Sequence, residues 1–327
     1  MLSRIADSLY WMSRYLERAD STARLVEINV LHLLEGEASA AGEMAEWRPL
    51  LAICGHEEGF AKLSDGREPT GPPVIDFLTR ERRSGGSIRT SLRLARENAR
   101  VVRDRISKDM WETVNELWLR SEERLERPAA ADYYRMIRSE VARFHGLTVS
   151  TMVRGEAFGF YLLGFFFERA DMTSRILDVK YHLLLPDLKL VGSPLDYYQW
   201  AALLKSMSGF EAYRRKYHTL RPIDVAEFVI LDPDFPRSLR FAVDRMRQAT
   251  ESIGTSGVNS TALTAIGDLS KWLDEIHVDK LFEQGLHESL NGILERLSKL
   301  HGALQEEYFE AHLSSQLTQI GARPCDT

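Results

Sequence analysis

The sequence predicts an all-α fold, and three observations carry that prediction. Apolar residues recur at three- and four-residue spacing along most of the chain. No run of alternating β-branched residues bounded by hairpin turns occurs. One helix-like stretch occurs twice: Tyr10 to Leu25, YWMSRYLERADSTARL, and Tyr161 to Ile176, YLLGFFFERADMTSRI, lie 151 residues apart (161 − 10). The two copies share 7 of 16 positions: Tyr10/Tyr161, Glu17/Glu168, Arg18/Arg169, Ala19/Ala170, Asp20/Asp171, Thr22/Thr173 and Arg24/Arg175. Apolar positions agree mostly in type, whereas all four charged residues of the second copy have an identical counterpart in the first, in which Arg14 alone stands opposite an apolar residue, Phe165. Packing alone would hold only the apolar pattern, so the retained charges need another cause.

At about 100° per residue, Tyr10, Glu17, Asp20 and Arg24 fall within a sector of roughly 80° on a helix, and so do Tyr161, Glu168, Asp171 and Arg175. Around the second set, Phe158, Phe160, Leu162, Leu163, Phe165, Phe166, Phe167, Ile176 and Leu177 cover nearly every other direction, which is the pattern of a buried helix. Ionisable groups there are costly unless paired. Two readings stay open: a structural network with Asp–Arg pairs at i,i+4, or a binding or reactive site where the two helices face each other. The expected architecture is a helical bundle of two pseudo-repeated halves, roughly 1–150 and 151–318, around two buried Glu-Arg helices. They form one domain over 1–318, with a loose tail at 319–327.

In chain order, residues 2–34 read as one helix on the stripe Ile5, Met12, Leu16, Ala19, Ala23, Val26, Val30 and Leu33, stopped at Gly36. Residues 43–64 are helical around Trp47, Leu50, Leu51 and Phe60 with interruptions at Gly55 and Gly59, and SDGREPTGPP from Ser64 to Pro73 is a loop. Val74 to Arg83 makes a short helix closed by Ser84, Gly85 and Gly86. Ser87 to about Ile106 carries an apolar face and, one residue behind it, a ridge of Arg89, Arg93, Arg96, Arg100 and Arg103. From Arg80 to Arg105 nine arginines stand against Glu81, Glu97 and Asp104. That ridge, with Glu97 and Asn98, reads either as a solvated face or as an anion or acidic-partner site, because arginine favours bidentate carboxylate or phosphate recognition.

Further helices are expected at Asp109–Glu126 with Asp109 as N-cap and Pro128 beyond its end, at 131–153, and at Glu156–Leu185 up to Pro186. After a Ser193 cap, Pro194 opens a helix to about His218, and Pro222 opens one to Leu231. The turn DPDFP (Asp232 to Pro236) leads into a helix from Arg237 to Ile253, 254–260 is a loop, and amphipathic helices cover 261–284 and 286 to about 317.

Composition narrows the function classes. The chain has 327 residues, 44% hydrophobic and 28% charged, enough for a sizeable core. A net charge of −6 and a pI of about 5.9 speak against a nucleic-acid binder. The two cysteines, Cys54 and Cys325, form neither a disulfide framework nor metal spacing. Arg4 and Asp7 break any signal-peptide core, and the longest apolar run, Ala157 to Phe167, is short of the roughly 20 residues a bilayer span needs. A soluble cytoplasmic protein is expected, without a membrane partner. Phosphate-binding Gly-rich loops, GxSxG, HExxH, the Glu-x-x-His of di-iron bundles and spaced Cys/His clusters are absent. Asp274-x-x-His277 is the nearest approach to a metal pair, and no metal site is predicted.

LERAD and FERAD in corresponding places, with ARENARVVRD (Ala95 to Asp104), WETVN (Trp111 to Asn115), FERADMTSRILDVKY (Phe167 to Tyr181), EAYRR (Glu211 to Arg215) and LDPDFPRSL (Leu231 to Leu239), make the chain resemble the alpha-E family over nearly its whole length. This is a bacterial all-helical family named for a Glu-Arg motif. The second copy continues into Asp178-x-Lys180 where the first has Glu27 and Asn29, so the halves need not be equivalent. The resemblance implies association with a circularly permuted ATP-grasp protein, often beside transglutaminase-like or amidohydrolase-like neighbours, in sets that resemble amide- or peptide-bond-forming systems. It implies no cofactor of the chain's own, any ATP being bound by the partner. Three roles remain: an accessory or substrate-binding subunit, an enzyme using its Glu/Asp/Arg network on a peptide or acyl phosphate, or a structural adaptor.

Overall fold

The structure is a computed structural model that describes residues 1–34, 40–125, 131–183, 194–254, 260–278, 280–281 and 286–309. All regular structure among them is helical: α1 (Ser3–Leu34), α2 (Ala40–Ile53), α3 (Glu57–Leu63), α4 (Gly71–Arg80), α5 (Ile88–Val101), α6 (Lys108–Arg124), α7 (Ala131–Thr151), α8 (Glu156–Leu183), α9 (Pro194–Ser206), α10 (Phe210–Lys216), α11 (Pro222–Leu231), α12 (Leu239–Ile253), α13 (Thr261–Glu275) and α14 (Leu286–Leu304), which runs into a π-helical turn over Gln305–Phe309. None of these helices is long and apolar enough to cross a membrane.

α1 and α8 lie at the centre, buried on nearly every side; Leu9, Tyr10, Met12 and Ala19 of α1 and Leu163, Ala170 and Leu177 of α8 are fully enclosed. α5 and α7 pack on α1, and α12 and α14 pack on α8. α6 closes the first set against α5 and α7, as α13 closes the second against α12 and α14. The smaller helices cross over: α2 packs on α8 and α9 on α1. α4 and α11 each have ten residues and begin 151 apart (222 − 71), as do α5 and α12 (239 − 88).

Caps explain where several predicted boundaries moved. Ser107, not Asp109, caps α6, its oxygen accepting from the Met110 N–H at 3.2 Å; Asp109 sits in the first turn, where its charge still suits the helix dipole. α12 begins at Leu239 with Ser238 as cap, two residues after the predicted Arg237, which leaves Arg237 free to point inward from the preceding turn. α4 begins at Gly71, because Pro72 and Pro73 fit the first turn of a helix, and it ends at Arg80. α5 ends at Val101, so Arg103 lies beyond the helix that was to carry the ridge. The helix predicted over 194–218 is two: Ser208 takes a positive φ of 51° and Gly209 opens α10. Gly55, at φ 68°, makes the corresponding break between α2 and α3. α13 ends at Glu275 instead of continuing to 284. The stops at Gly36, Pro128 and Pro186, the Ser193 cap and the tail at 319–327 fall outside the described residues.

Candidate functional site

Glu17 and Glu168 face each other's helices. α1 and α8 approach each other closely at Gly164, where any Cβ would run into the Tyr10 backbone carbonyl and the Ser13 hydroxyl. Beyond this crossing the Glu-Arg pairs are exchanged. Arg169 Nε donates to Glu17 Oε1 at 2.8 Å, and Arg18 donates through Nε and Nη2 to the two oxygens of Glu168 at 2.5 and 2.9 Å. Each carboxylate takes a second guanidinium: Arg237 Nη1 reaches Glu17 Oε1 at 2.9 Å, and Arg14 Nε reaches Glu168 Oε2 at 2.8 Å. Both glutamates are 1% exposed. At that burial a carboxylate persists as an anion only through such charge-assisted bonds. Burial pushes the Glu168 carboxyl up, but Arg18 and Arg14 outweigh it and hold the group down at about 2.

The two aspartates keep the local i,i+4 pairing. Arg24 grips both oxygens of Asp20 at 3.0 and 2.9 Å, and Arg175 Nε donates to Asp171 Oδ2 at 2.9 Å. Asp20 receives Arg237 as well, at 2.8 Å, and Arg24 also donates to Ser208. The expected seam divides at the tyrosines. Tyr10 joins Arg14 (3.2 Å), and so the Glu168 cluster, instead of Glu17, because the side chain of Arg14 turns toward α8. Asp178 is half-buried on α8, and the side chain of Lys180 is outside the described residues.

Two histidines complete the core. His301 Nδ1 lies 3.2 Å from the Tyr10 hydroxyl, and His145 Nδ1 3.1 Å from that of Tyr161. Burial raises both phenols, Tyr10 to about 12, and lowers both imidazoles to about 4, helped by Arg14 at His301 and Arg169 at His145. Burial likewise drives the Cys54 thiol to about 12, so it is no thiolate nucleophile.

These shifts set an acid response. An unfolded histidine protonates near its ordinary 6.5, whereas the folded ones wait until about 4. Between those values the unfolded chain binds more protons, so stability falls as pH drops through the window. Glu168, whose folded value is depressed, adds a further loss between its ordinary 4.5 and about 2. Urea midpoints measured stepwise will therefore decline below about pH 6.5, ahead of carboxylate titration. A midpoint constant down to the carboxylate range would contradict neutral, buried histidines.

The arginine ridge of α5 is largely engaged with protein. Arg89 Nε donates to Glu122 at 2.7 Å, Arg96 Nε to Asn115 at 2.8 Å, and Arg100 Nη2 to Glu97 at 2.6 Å. Asn98 donates to the Leu94 carbonyl at 2.9 Å. Arg93 is exposed beside Arg89 in a surface cavity of about 480 Å³, and exposed Arg103 lies 5.2 Å from the Trp111 ring. Asp274, the nearest approach to a metal pair in the sequence, bonds Arg240 at 2.6 Å.

Sequence reasoning missed Arg14, Arg237, His145 and His301 as members of this network. Arg14, one turn before Arg18 in an apolar stretch, offered a signal, and Arg237 sits in the LDPDFPRSL stretch. The histidines offered none, being distant in the chain from Tyr10 or on another helix.

Glu-Arg dipeptides also occur at residues 81–82, 123–124, 126–127 and 295–296, the third of these outside the described residues. Glu123 and Arg124 are both exposed, and among the described residues only those at 17–18 and 168–169 bury the glutamate. The alpha-E family profile, described as a predicted alpha-helical domain with a conserved ER motif, matches residues 1–309. The chain belongs to the alpha-E family. Two uncharacterized proteins, from Mycobacterium bovis and Mycobacterium tuberculosis, are each 23% identical to it over 321 residues. The match covers 93% of this alpha-E chain and 36% of each relative, so the chain spans about a third of their length. No solved structure matches it.

Proposed function

We propose that this alpha-E chain is an accessory, substrate-binding subunit of a circularly permuted ATP-grasp ligase that forms amide or peptide bonds. The observation that carries a binding role over a catalytic one is the state of the ionisable groups between α1 and α8. Each buried glutamate is held by two guanidiniums, both tyrosines keep their protons, both histidines are neutral and hydrogen-bonded, and the thiol is protonated. A general base or nucleophile works best with its pKa near the working pH, which none of these shifted groups has.

The ligase partnership comes from the family resemblance, and with it the placement of any ATP on the partner and of the pair in the cytoplasm. The mycobacterial relatives support joint action in one respect: the matched segment is 36% of a longer chain, so it is covalently joined to further sequence. The same reading treats the two halves as pseudo-equivalent. Support comes from Ser87 and Ser238, which cap α5 and α12 and donate to the carbonyls of Glu81 and Asp232 at 2.7 and 2.5 Å. The exposed Arg93, Arg100 and Arg103 supply a cationic face for the partner.

The test is to co-express the chain with the ATP-grasp protein of the same organism and follow ATP hydrolysis by each alone and together over a panel of amines and acids. The expected result is no turnover by this chain alone, a stable complex, ligation by the pair, and a weaker complex for Arg93→Glu with Arg100→Glu at unchanged helicity. Turnover by the isolated chain would favour the enzyme reading, and failure to form a complex would end the accessory one.

A further inference from the structure

The two Glu-Arg clusters differ in one respect that bears on ligand binding. At Glu17 and Asp20 the cluster is closed by Arg237, whose side chain is 13% exposed and reaches from the turn before α12 to bond both carboxylates. The turn before α5 follows the same course, with Ser87 bonded as Ser238 is, but the residue 151 positions before Arg237 is Gly86. The space in front of Gly86 is taken by the His56 ring: a Cβ there would run into Nε2, so a side chain at this position would require His56 to move. Over Glu168 and Asp171 the protein therefore leaves a cleft of about 580 Å³.

The lining of that cleft is cationic and partly unspent. Arg14, Arg18 and Arg175 stand against Glu168 and Asp171, a net charge of +1 (3 − 2). Arg18 uses Nε and Nη2 on Glu168, and Arg175 uses Nε on Asp171; among the described residues Nη1 of Arg18 and both Nη atoms of Arg175 have no hydrogen-bond acceptor. Both guanidiniums act on one spot. His56 is shifted down by burial and then by Arg18 and Arg175, which also lower the neighbouring Cys54 against its own burial. A positive potential in a partly dry cleft attracts an anion and is strengthened by the low dielectric. Trp11 and Tyr15, stacked at 5.3 Å, add a flat apolar wall for the rest of a small molecule.

We propose that this cleft binds a small ligand through an oxyanion, a carboxylate or phosphoryl group seated between Arg18 and Arg175 above His56. The assignment deepens the substrate-binding reading and rests on it for its biological meaning, but its test needs only the isolated chain, so failure to find a ligase partner would leave it standing. Both oxyanions offer paired acceptors to a guanidinium fork, and separate titrations distinguish them.

The experiment titrates the purified chain with inorganic phosphate, acetate and, as a cationic mimic of the Arg237 side chain, methylguanidinium, at constant ionic strength. Melting temperature and the NMR signals of His56 are followed. Phosphate or acetate is expected to raise the melting temperature and the His56 pKa, with saturation in the millimolar range, and methylguanidinium to do neither. Arg175→Gln, which removes a half-exposed guanidinium, should weaken binding at least tenfold. The double variant His56→Gly with Gly86→Arg, built to close this cluster as Arg237 closes the other, should abolish it. If that variant does not fold, Arg175→Gln alone decides. Unchanged affinity in Arg175→Gln, preference for methylguanidinium, or no response to either oxyanion would overturn the proposal.

Discussion

Replacing Glu17 by Ala will destabilise the protein by about 3 to 5 kcal/mol, the cost of leaving a buried charge without its partner. Glu17 is 1% exposed and accepts from Arg169 and Arg237, whose side chains are 15% and 13% exposed. Truncation would leave two guanidiniums facing each other with Asp20 as their remaining shared anion. The loss is a large part of the roughly 5 to 15 kcal/mol that holds a typical domain together. Glu97→Ala is the control: its pair with Arg100 is surface-exposed, and such pairs contribute about 0 to 1 kcal/mol. Urea unfolding followed by circular dichroism measures both. A loss below about 1 kcal/mol for Glu17→Ala would mean that the exchanged pairs do not hold the two helices together.

Gly164→Ala should cost at least the upper part of the roughly 1 to 3 kcal/mol typical of overpacking. Its Cβ would meet the Tyr10 carbonyl and the Ser13 hydroxyl, and a backbone carbonyl inside a helix cannot rotate away as a side chain can. The helices would have to separate, stretching the Arg18–Glu168 and Arg169–Glu17 bonds just beyond the crossing. Gly146, in α7, is the matched control. A Cβ there meets nothing within 4 Å, so Gly146→Ala should be neutral or stabilising by up to about 1 kcal/mol from helix propensity. Similar melting temperatures for the two variants would show that the close approach is not required.

What the sequence determined by itself is local. Amphipathic spacing and the lack of strand patterns led to an all-α chain, prolines placed α11 at residues 222–231, and helical geometry paired Asp20 with Arg24 and Asp171 with Arg175. Each of these depends on residues within a few turns of one another. Spacing also showed that the repeated helices are buried, and hence that their charges needed partners. Which partners they took was decided only by the tertiary structure. Periodicity reports the face a side chain occupies and says nothing about what is packed against it, so the exchange of Glu17 and Glu168 between helices was not legible. The same holds for Arg237 reaching Glu17 across 220 residues of chain and His301 meeting Tyr10 across 291. The open cleft was hidden for the same reason: Gly86 and Arg237 differ as letters, but the consequence depends on His56 occupying the space in front of one of them. Such contacts form only when distant segments share one dense interior, where the volume of one residue settles what its neighbours can do.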